Sequence, residues 1–165
     1  MNRVFVSMQD DISKTVEKKA QMLLENSPIE EFVLLVLEKI GRDKEEISVF
    51  FCDDDFIRAY NAKDREIDAP TDILEYENGS EYEDEQGKWR LSGDMLINLE
   101  MLPKNADSFG VSEDEELKRL LTHGVLHLCG MNHGEEHLEV GIEPKCEMLV
   151  LQEKILLALS DTKLL

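Results

Sequence analysis

Positive charge is scarce in this chain. Its 165 residues include 18 Lys and Arg against 37 Asp and Glu, which gives a formal net charge of -19 at pH 7. Because proteins bind phosphate mainly through Lys and Arg, this balance excludes a broad electrostatic surface for nucleic acid and gives no reason to expect DNA as a partner. Any contact with nucleic acid has to be local, through a cleft whose charge differs from that of the remaining surface. The acidic surface favours basic protein partners instead.

The features of membrane and secreted proteins are also lacking. No apolar run approaches the roughly 20 residues that span a bilayer, and the first residues, M-N-R-V-F-V-S-M-Q-D-D-I-S, have no long apolar core or small-residue cleavage site. The three cysteines, Cys52, Cys129 and Cys146, are widely spaced and form no CxxC, so they predict buried thiols and not a disulfide framework. We therefore expect a cytoplasmic protein with no membrane partner.

Length and hydrophobicity predict one domain, residues 1–165, with a substantial core, since hydrophobic residues make up 42% of the chain. Strands are predicted at residues 3–8, 46–52, 73–77 and about 94–99. Two helices are predicted within residues 10–39, and the second has Ser27 as its N-cap and Pro28 as its first residue. Three more helices are predicted: a short one capped by Asp53 or Asp54, one at residues 112–130, and one from about residue 143 to residue 159. The elements interleave without a strict βαβ rhythm, which favours an α+β fold.

Two segments carry no predicted helix or strand. The first, N-G-S-E-Y-E-D-E-Q-G-K at residues 78–88, is rich in turn residues and acids and is interpreted as a solvated, mobile excursion. The second, P-K-N-A-D-S-F-G-V-S at residues 103–112, is interpreted as a connector.

Histidine is rare but concentrated. The chain has four histidines, and three of them, His123, His127 and His133, fall within T-H-G-V-L-H-L-C-G-M-N-H. His123 and His127 are four residues apart on a predicted helix that Ser112 caps, so their rings share one face. Gly130 is a good C-cap, beyond which the chain can turn and bring His133 back toward the same point.

Three neutral imidazoles suit a borderline-soft divalent cation, zinc first, and three protein ligands leave a fourth position open, as catalytic zinc sites do. His137 could be a fourth ligand, a proton shuttle or a surface residue. In the zinc peptidase motif HExxH a general-base Glu follows the first histidine, but here that position is Gly124. A peptidase of that kind would lack its base, although a metal could still activate water and polarise a phosphoryl or carbonyl oxygen.

These residues resemble a known family. H-G-V-L-H-L-C-G-M-N-H resembles the HGxLHLxGxxH motif of the YbeY family, which comprises single-domain bacterial metalloproteins implicated in endoribonuclease activity, ribosomal RNA maturation and ribosome quality control. N-A-K-D-R-E-I-D-A-P-T-D-I-L, residues 61–74, and G-D-M-L-I-N, residues 93–98, resemble two further family segments. The resemblance covers about residues 45–160. Where the family usually has Tyr-Asp and Ser-Phe, this chain has Met131-Asn132 and Glu75-Tyr76.

The resemblance implies an α+β fold in which a mostly parallel, mixed sheet of roughly four strands is covered by about five helices, with the metal in a cleft. It implies His123, His127 and His133 as metal ligands around one zinc ion per chain, and Arg65 as the arginine of the cleft. A planar guanidinium fork matches phosphate oxygens, so Arg65 and His127 are the predicted catalytic residues. The alternative for Arg65 is a surface salt bridge with Asp64 or Asp68.

Three neighbouring positions bear on the cleft. Thr71 and Asp72 are expected to shape their loop through side chain to backbone hydrogen bonds, and Asp72 could also support a histidine of the cluster. If the position of Glu75 faces the cleft, Glu75 adds negative charge near the path of the substrate.

The functional hypothesis is a zinc-dependent endoribonuclease that acts on single-stranded ribosomal RNA in rRNA maturation and ribosome quality control. Either water or the RNA 2′-OH could be the nucleophile. The alternative is a ribosome assembly factor that binds proteins of the small ribosomal subunit and whose metal is structural or vestigial. A peptidase is a third hypothesis, which Gly124 argues against.

Overall fold

Strands and helices alternate irregularly along the chain. A computed structural model describes residues 1–165. The strands are β1 (Arg3–Met8), β2 (Glu45–Cys52), β3 (Ile73–Glu77), β4 (Glu81–Asp84) and β5 (Gly87–Asn98). The helices are α1 (Lys14–Leu24), α2 (Pro28–Lys39), α3 (Asp54–Arg65), α4 (Leu102–Phe109), α5 (Glu113–Leu128) and α6 (Glu147–Ala158).

The strands form one mixed sheet in the order β1-β2-β5-β3, with β4 also paired to β5. β2 lies parallel to β1 and to β5, whereas β3 and β4 run antiparallel to β5. The predicted α+β class and mixed sheet are therefore confirmed. Five strands and six helices replace the expected four and five, and parallel pairs do not outnumber antiparallel ones.

The main hydrophobic core lies on one face of the sheet. Inward-pointing residues of β2, namely Ile47, Val49 and Phe51, alternate with half-buried residues, as expected for a strand with one covered face. α5 crosses this face and contacts β3, β5, α2, α4 and α6. On the other face a smaller cluster, Cys52, Ile57 and Leu74, lies beneath α3. No helix has both the length and the apolar character that crossing a membrane requires.

Two segments differ from the prediction. The acidic stretch at residues 78–88 is not an open excursion, because Glu81–Asp84 pairs with Gly87–Arg90 as a β-hairpin. Asp84 caps the turn by accepting hydrogen bonds from the backbone N–H of Gln86 and from Trp89 Nε1 at 2.9 Å each. The predicted connector at residues 103–112 overlaps α4, a helix of eight residues that begins at Leu102. Glu81, Glu83 and Glu85 are exposed to solvent, so the abundance of acids did not exclude a strand.

The helix ends follow the sequence in part. Ser112 and Glu115 form the predicted capping box of α5, and Asp53 caps α3 by accepting from the N–H of Phe56 at 3.0 Å. Pro28 opens α2 as predicted, but Ser27 adopts a left-handed conformation and its side chain makes no capping hydrogen bond. α6 begins at Glu147, about four residues later than predicted.

Candidate metal centre

α5 and the loop after it bring three histidines together. His123 and His127 lie one turn apart on the helix, and the chain reverses at Gly130, whose φ of 90° is accessible to glycine without strain. His133 then returns to the helix, so that the three ring centroids are 4.6 to 5.2 Å apart. One ligand atom from each ring lies within 4.8 Å of the other two. The sequence prediction that His133 turns back toward the helical pair matches this geometry.

Hydrogen bonds at Nδ1 orient all three rings. Each Nδ1 faces an oxygen that accepts a hydrogen bond, so each ring carries its proton on Nδ1 and leaves the Nε2 lone pair free. The acceptors are Gln152 Oε1 for His123 at 2.8 Å, the Met131 carbonyl for His127 at 3.1 Å, and the Glu136 carbonyl for His133 at 2.6 Å. This is the arrangement by which proteins fix metal-binding histidines.

The unprotonated Nε2 atoms are positioned to bind a cation. Nε2 of His123 lies 3.1 Å from Nε2 of His127, and with both protons on Nδ1 these two lone pairs face each other with no hydrogen between them. Burial lowers the pKa of His123 to about 4 and also lowers the pKa of His127, so both rings are neutral at pH 7. Neutral imidazole is the form that coordinates a metal. The donor set therefore fits a divalent metal ion.

His137 stands beside the cluster. Its ring centroid is 5.4 Å from that of His133, and its side chain is exposed at the rim of the same cavity. The set of mutually close ligand atoms contains the other three histidines and not His137. Its part as a fourth ligand stays a prediction.

The histidines line a cavity of about 680 Å³ that also holds Arg65 and Glu75. Arg65, at the end of α3, is half-exposed, and its Nη2 lies 3.7 Å from Oε2 of Glu75. The alternative partners do not pair with it, since Asp64 accepts from Tyr76 Oη and Asp68 pairs with Arg58.

Glu75 points into the cavity from β3. Burial raises the pKa of its carboxyl, and the nearby guanidinium of Arg65 partly offsets that rise. The expectation that Glu75 adds acidic character to the cleft agrees with its place in the cavity wall.

Thr71 and Asp72 lie in the loop that enters β3. Asp72 accepts hydrogen bonds from Thr71 Oγ1 at 3.4 Å and from Asn105 Nδ2 at 3.0 Å, while Asn98 Nδ2 donates to the Thr71 carbonyl at 3.1 Å. Neither side chain bonds a histidine of the cluster. That contact belongs to Gln152, which the sequence reasoning did not single out as a site residue.

Two more polar residues of the cavity wall were missed. Glu116 and Arg119 lie on the face of α5 that carries His123, and Arg119 Nη1 is 3.2 Å from Glu116 Oε1. Burial raises the pKa of Glu116 to about 7 even though Arg119 opposes the rise. Their spacing of seven and four residues before His123 was the available signal.

Comparisons with known proteins agree with the three motifs. A family model described as "Endoribonuclease YbeY" matches residues 6–160. The chain is 40% identical over 151 residues to a Treponema denticola protein named endoribonuclease YbeY, covering 91% of this chain and 94% of that protein. It is 44% identical over 126 residues to a Treponema pallidum protein of the same name, covering 76% and 75%.

A solved structure shares the fold. The solution structure of a Thermotoga maritima protein has a TM-score of 0.56 and 24% identity, and the match covers 96% of this chain and 90% of that one. The family model and the relatives together confirm the resemblance predicted from the histidine motif and the two other segments. This chain belongs to the YbeY family.

Proposed function

We propose that this protein is a zinc-dependent endoribonuclease that cleaves single-stranded ribosomal RNA in rRNA maturation and ribosome quality control. One observation carries the proposal: three histidines with free Nε2 lone pairs meet in a cavity whose wall also holds an arginine. The relatives named endoribonucleases support RNA as the substrate. The proposal treats residues 1–165 as one catalytic domain that works in the cytoplasm.

The histidines would hold the metal. His123, His127 and His133 form an open three-nitrogen set of the kind used by catalytic zinc sites. A bound zinc ion would supply Lewis-acid chemistry, lowering the pKa of water and polarising a phosphoryl oxygen. Gln152 and the carbonyls of Met131 and Glu136 keep the ligand nitrogens aimed at one point. His137, at the rim, is the candidate for a further ligand.

Arg65 would bind the scissile phosphate. Its guanidinium is half-exposed and only loosely paired, at 3.7 Å, with Glu75. A phosphate can form two charge-assisted hydrogen bonds to the guanidinium fork, which a long contact to one carboxylate does not match. Arg65 would therefore exchange Glu75 for the substrate and stabilise the charge that develops on the phosphate.

Specificity would come from a partner. The net charge of -19 gives weak general affinity for RNA. We therefore propose that proteins of the small ribosomal subunit deliver the substrate, because basic proteins would bind an acidic surface. The same charge favours the second candidate, an assembly factor that binds ribosomal protein and does not cut RNA.

The test is cleavage of a ribosomal RNA fragment by protein loaded with one equivalent of zinc. His127→Ala, checked for folding by circular dichroism, should lose cleavage because a ligand is missing. Arg65→Ala and Arg58→Ala form a matched pair, since both arginines lie on α3, are about half-exposed and pair with one acid. Arg65→Ala should lose most activity and Arg58→Ala should keep it.

The outcomes separate the two candidates. Equal cutting by wild type and folded His127→Ala, or no cutting by either, contradicts intrinsic nuclease activity. If such a variant still binds ribosomal protein as the wild type does, the assembly factor replaces the enzyme.

A further inference from the structure

The cavity extends past the histidines toward the beginning of α5. This end of the cavity is lined by Phe109, the last residue of α4, and by Arg119 of α5, together with the apolar side chains of Leu120 and Leu149. Arg119 lies one helical turn before His123 on α5, whereas Arg65 enters the cavity wall from the end of α3. The two arginines are the only Arg or Lys side chains in the cavity wall. The chemistry proposed above uses Arg65 but leaves this end without a role.

The guanidinium of Arg119 lies over an aromatic ring. Its guanidinium carbon lies 4.3 Å from the ring centroid of Phe109, and its side chain is 15% exposed. Glu116, which is 1% exposed, supplies a carboxylate 3.2 Å from Nη1. Nε and Nη1 make no hydrogen bond. The ion pair and the cation–π contact fix the position of the side chain, so that Phe109 and Arg119 together form a platform at the cavity wall.

The platform suits a flat, uncharged ligand better than an anion. The carboxyl group of Glu116 lies 3.2 Å from Arg119 Nη1, and no other Arg or Lys lines this end of the cavity, so a phosphate there would meet an acidic group with no second cation to bind it. Nucleobases stack on aromatic rings and on guanidinium groups, and this end of the cavity offers both, together with apolar side chains.

We propose that Phe109 and Arg119 form a subsite that stacks the nucleobase next to the scissile phosphate. The inference rests on the proposed function and extends it, because it assigns the two ends of the cavity to different parts of one RNA strand. Arg65 takes the phosphate at the metal-binding histidines, and the platform takes the neighbouring base beyond His123. Stacking tolerates every base, so this subsite would select for an unpaired, splayed-out nucleotide and not for a sequence.

The test is steady-state cleavage of a short single-stranded oligoribonucleotide and of copies that carry an abasic nucleotide at each position in turn. Phe109→Leu keeps apolar bulk but removes the ring. Arg119→Met combined with Glu116→Gln removes the guanidinium without leaving a buried unpaired carboxylate. Each should raise KM about tenfold with kcat unchanged, as expected for loss of one stacked base. In the wild type an abasic nucleotide beside the cleaved bond should raise KM similarly, and in Phe109→Leu it should add nothing further.

Matched controls are Phe5→Leu and Arg58→Met, which change an exposed phenylalanine on β1 and an exposed arginine on α3 outside the cavity. Both should keep the wild-type KM. Circular dichroism melting confirms that every variant is folded.

Each remaining outcome overturns the inference in a distinct way. If the Arg119 variant reduces the salt dependence of binding by about 0.7 in the log-log slope, the residue contacts a phosphate and no base. If the variants keep the wild-type KM while the wild type cuts and His127→Ala does not, the subsite is absent and the proposed function stands. If the wild type cuts no better than His127→Ala, the proposed function fails and the subsite fails with it.

Discussion

Glu116 gives a prediction about stability that needs no substrate or metal. Its side chain is 1% exposed, and burial is the main cause that raises its pKa from 4.5 to about 7. Nearby Asp72 and Glu153 raise the pKa further, and Arg119 opposes the rise. Because the folded protein binds this proton more tightly than the unfolded chain does, the carboxyl group opposes folding once it must ionise.

The sign and size of this effect on stability follow from the two pKa values of Glu116, 4.5 in the unfolded chain and about 7 in the folded protein. Below about pH 4.5 Glu116 is protonated in both the folded and the unfolded state, so it does not reduce the free energy of unfolding. The destabilisation grows as the pH rises to about 7 and is complete above that value. At about 1.4 kcal/mol per pH unit, the rise from 4.5 to about 7 corresponds to about 3 kcal/mol. Glu116→Gln cannot ionise. Relative to the wild type, its free energy of unfolding should therefore increase by about 3 kcal/mol between about pH 4.5 and pH 8.

Urea unfolding of metal-free protein at a series of pH values measures this difference. The comparison cancels any effect of the substitution that does not depend on pH, and the interaction of the ionised carboxylate with Arg119 is already included in the pKa of about 7. Glu38→Gln, on the exposed side of α2, is the matched control and should show no comparable rise. If the difference between Glu116→Gln and the wild type is the same at the two ends of the pH range, burial does not destabilise the carboxylate and the reasoning is wrong.

Three further substitutions test the cavity and the sheet beneath it. Gln152→Leu should weaken zinc binding about 10- to 100-fold in a chelator competition, because His123 loses the acceptor of its Nδ1–H; an unchanged affinity would contradict the orienting role. Glu75→Gln should tighten binding of inorganic phosphate in calorimetry, since it frees Arg65 from a carboxylate, and weaker binding would show that Glu75 instead holds the guanidinium in place. Gly93→Ala should lower the free energy of unfolding by more than about 2 kcal/mol. The φ of Gly93 is +140°, and an added Cβ would overlap a carbonyl oxygen of β3. Urea unfolding measures this loss, and a stability equal to that of the wild type would contradict the prediction.

The parts of the site that were predictable are local. The capping box, the apolar stripe of α5 and the spacing of His123 and His127 lie within one helix, and Gly130 marks where the chain turns. Those features depend on residues three or four apart, so sequence periodicity reveals them. Predicting the position of His133 required one further assumption, that the short loop after Gly130 returns toward the helix.

The parts that were missed are tertiary or masked by composition. Gln152 bonds His123 from 29 residues away, and Phe109 reaches Arg119 across a helix boundary, so neither contact leaves a local pattern. The β4–β5 hairpin was hidden by its exposed acids, although Trp89 is 1% exposed, with the guanidinium of Arg3 3.7 Å from its ring centroid. Charge on the outer face of an edge strand says little about whether the strand pairs.

Gly124 links the packing of α5 to the chemistry of the cavity. A Cβ at this position would lie 2.9 Å from Met95 Sδ and 3.2 Å from Ile73 Cδ1, so the helix packs closely on side chains of β5 and β3, and any side chain at position 124 would have to displace them. Ile73 and Glu75 are two residues apart and therefore lie on the same face of β3. β3 thus packs against Gly124 through Ile73 and places Glu75 in the cavity wall, where it lies near Arg65. Because position 124 is glycine, α5 carries no carboxylate directly after His123, and the cavity instead contains an arginine–glutamate pair, which suits an anionic substrate because the arginine can exchange its partner.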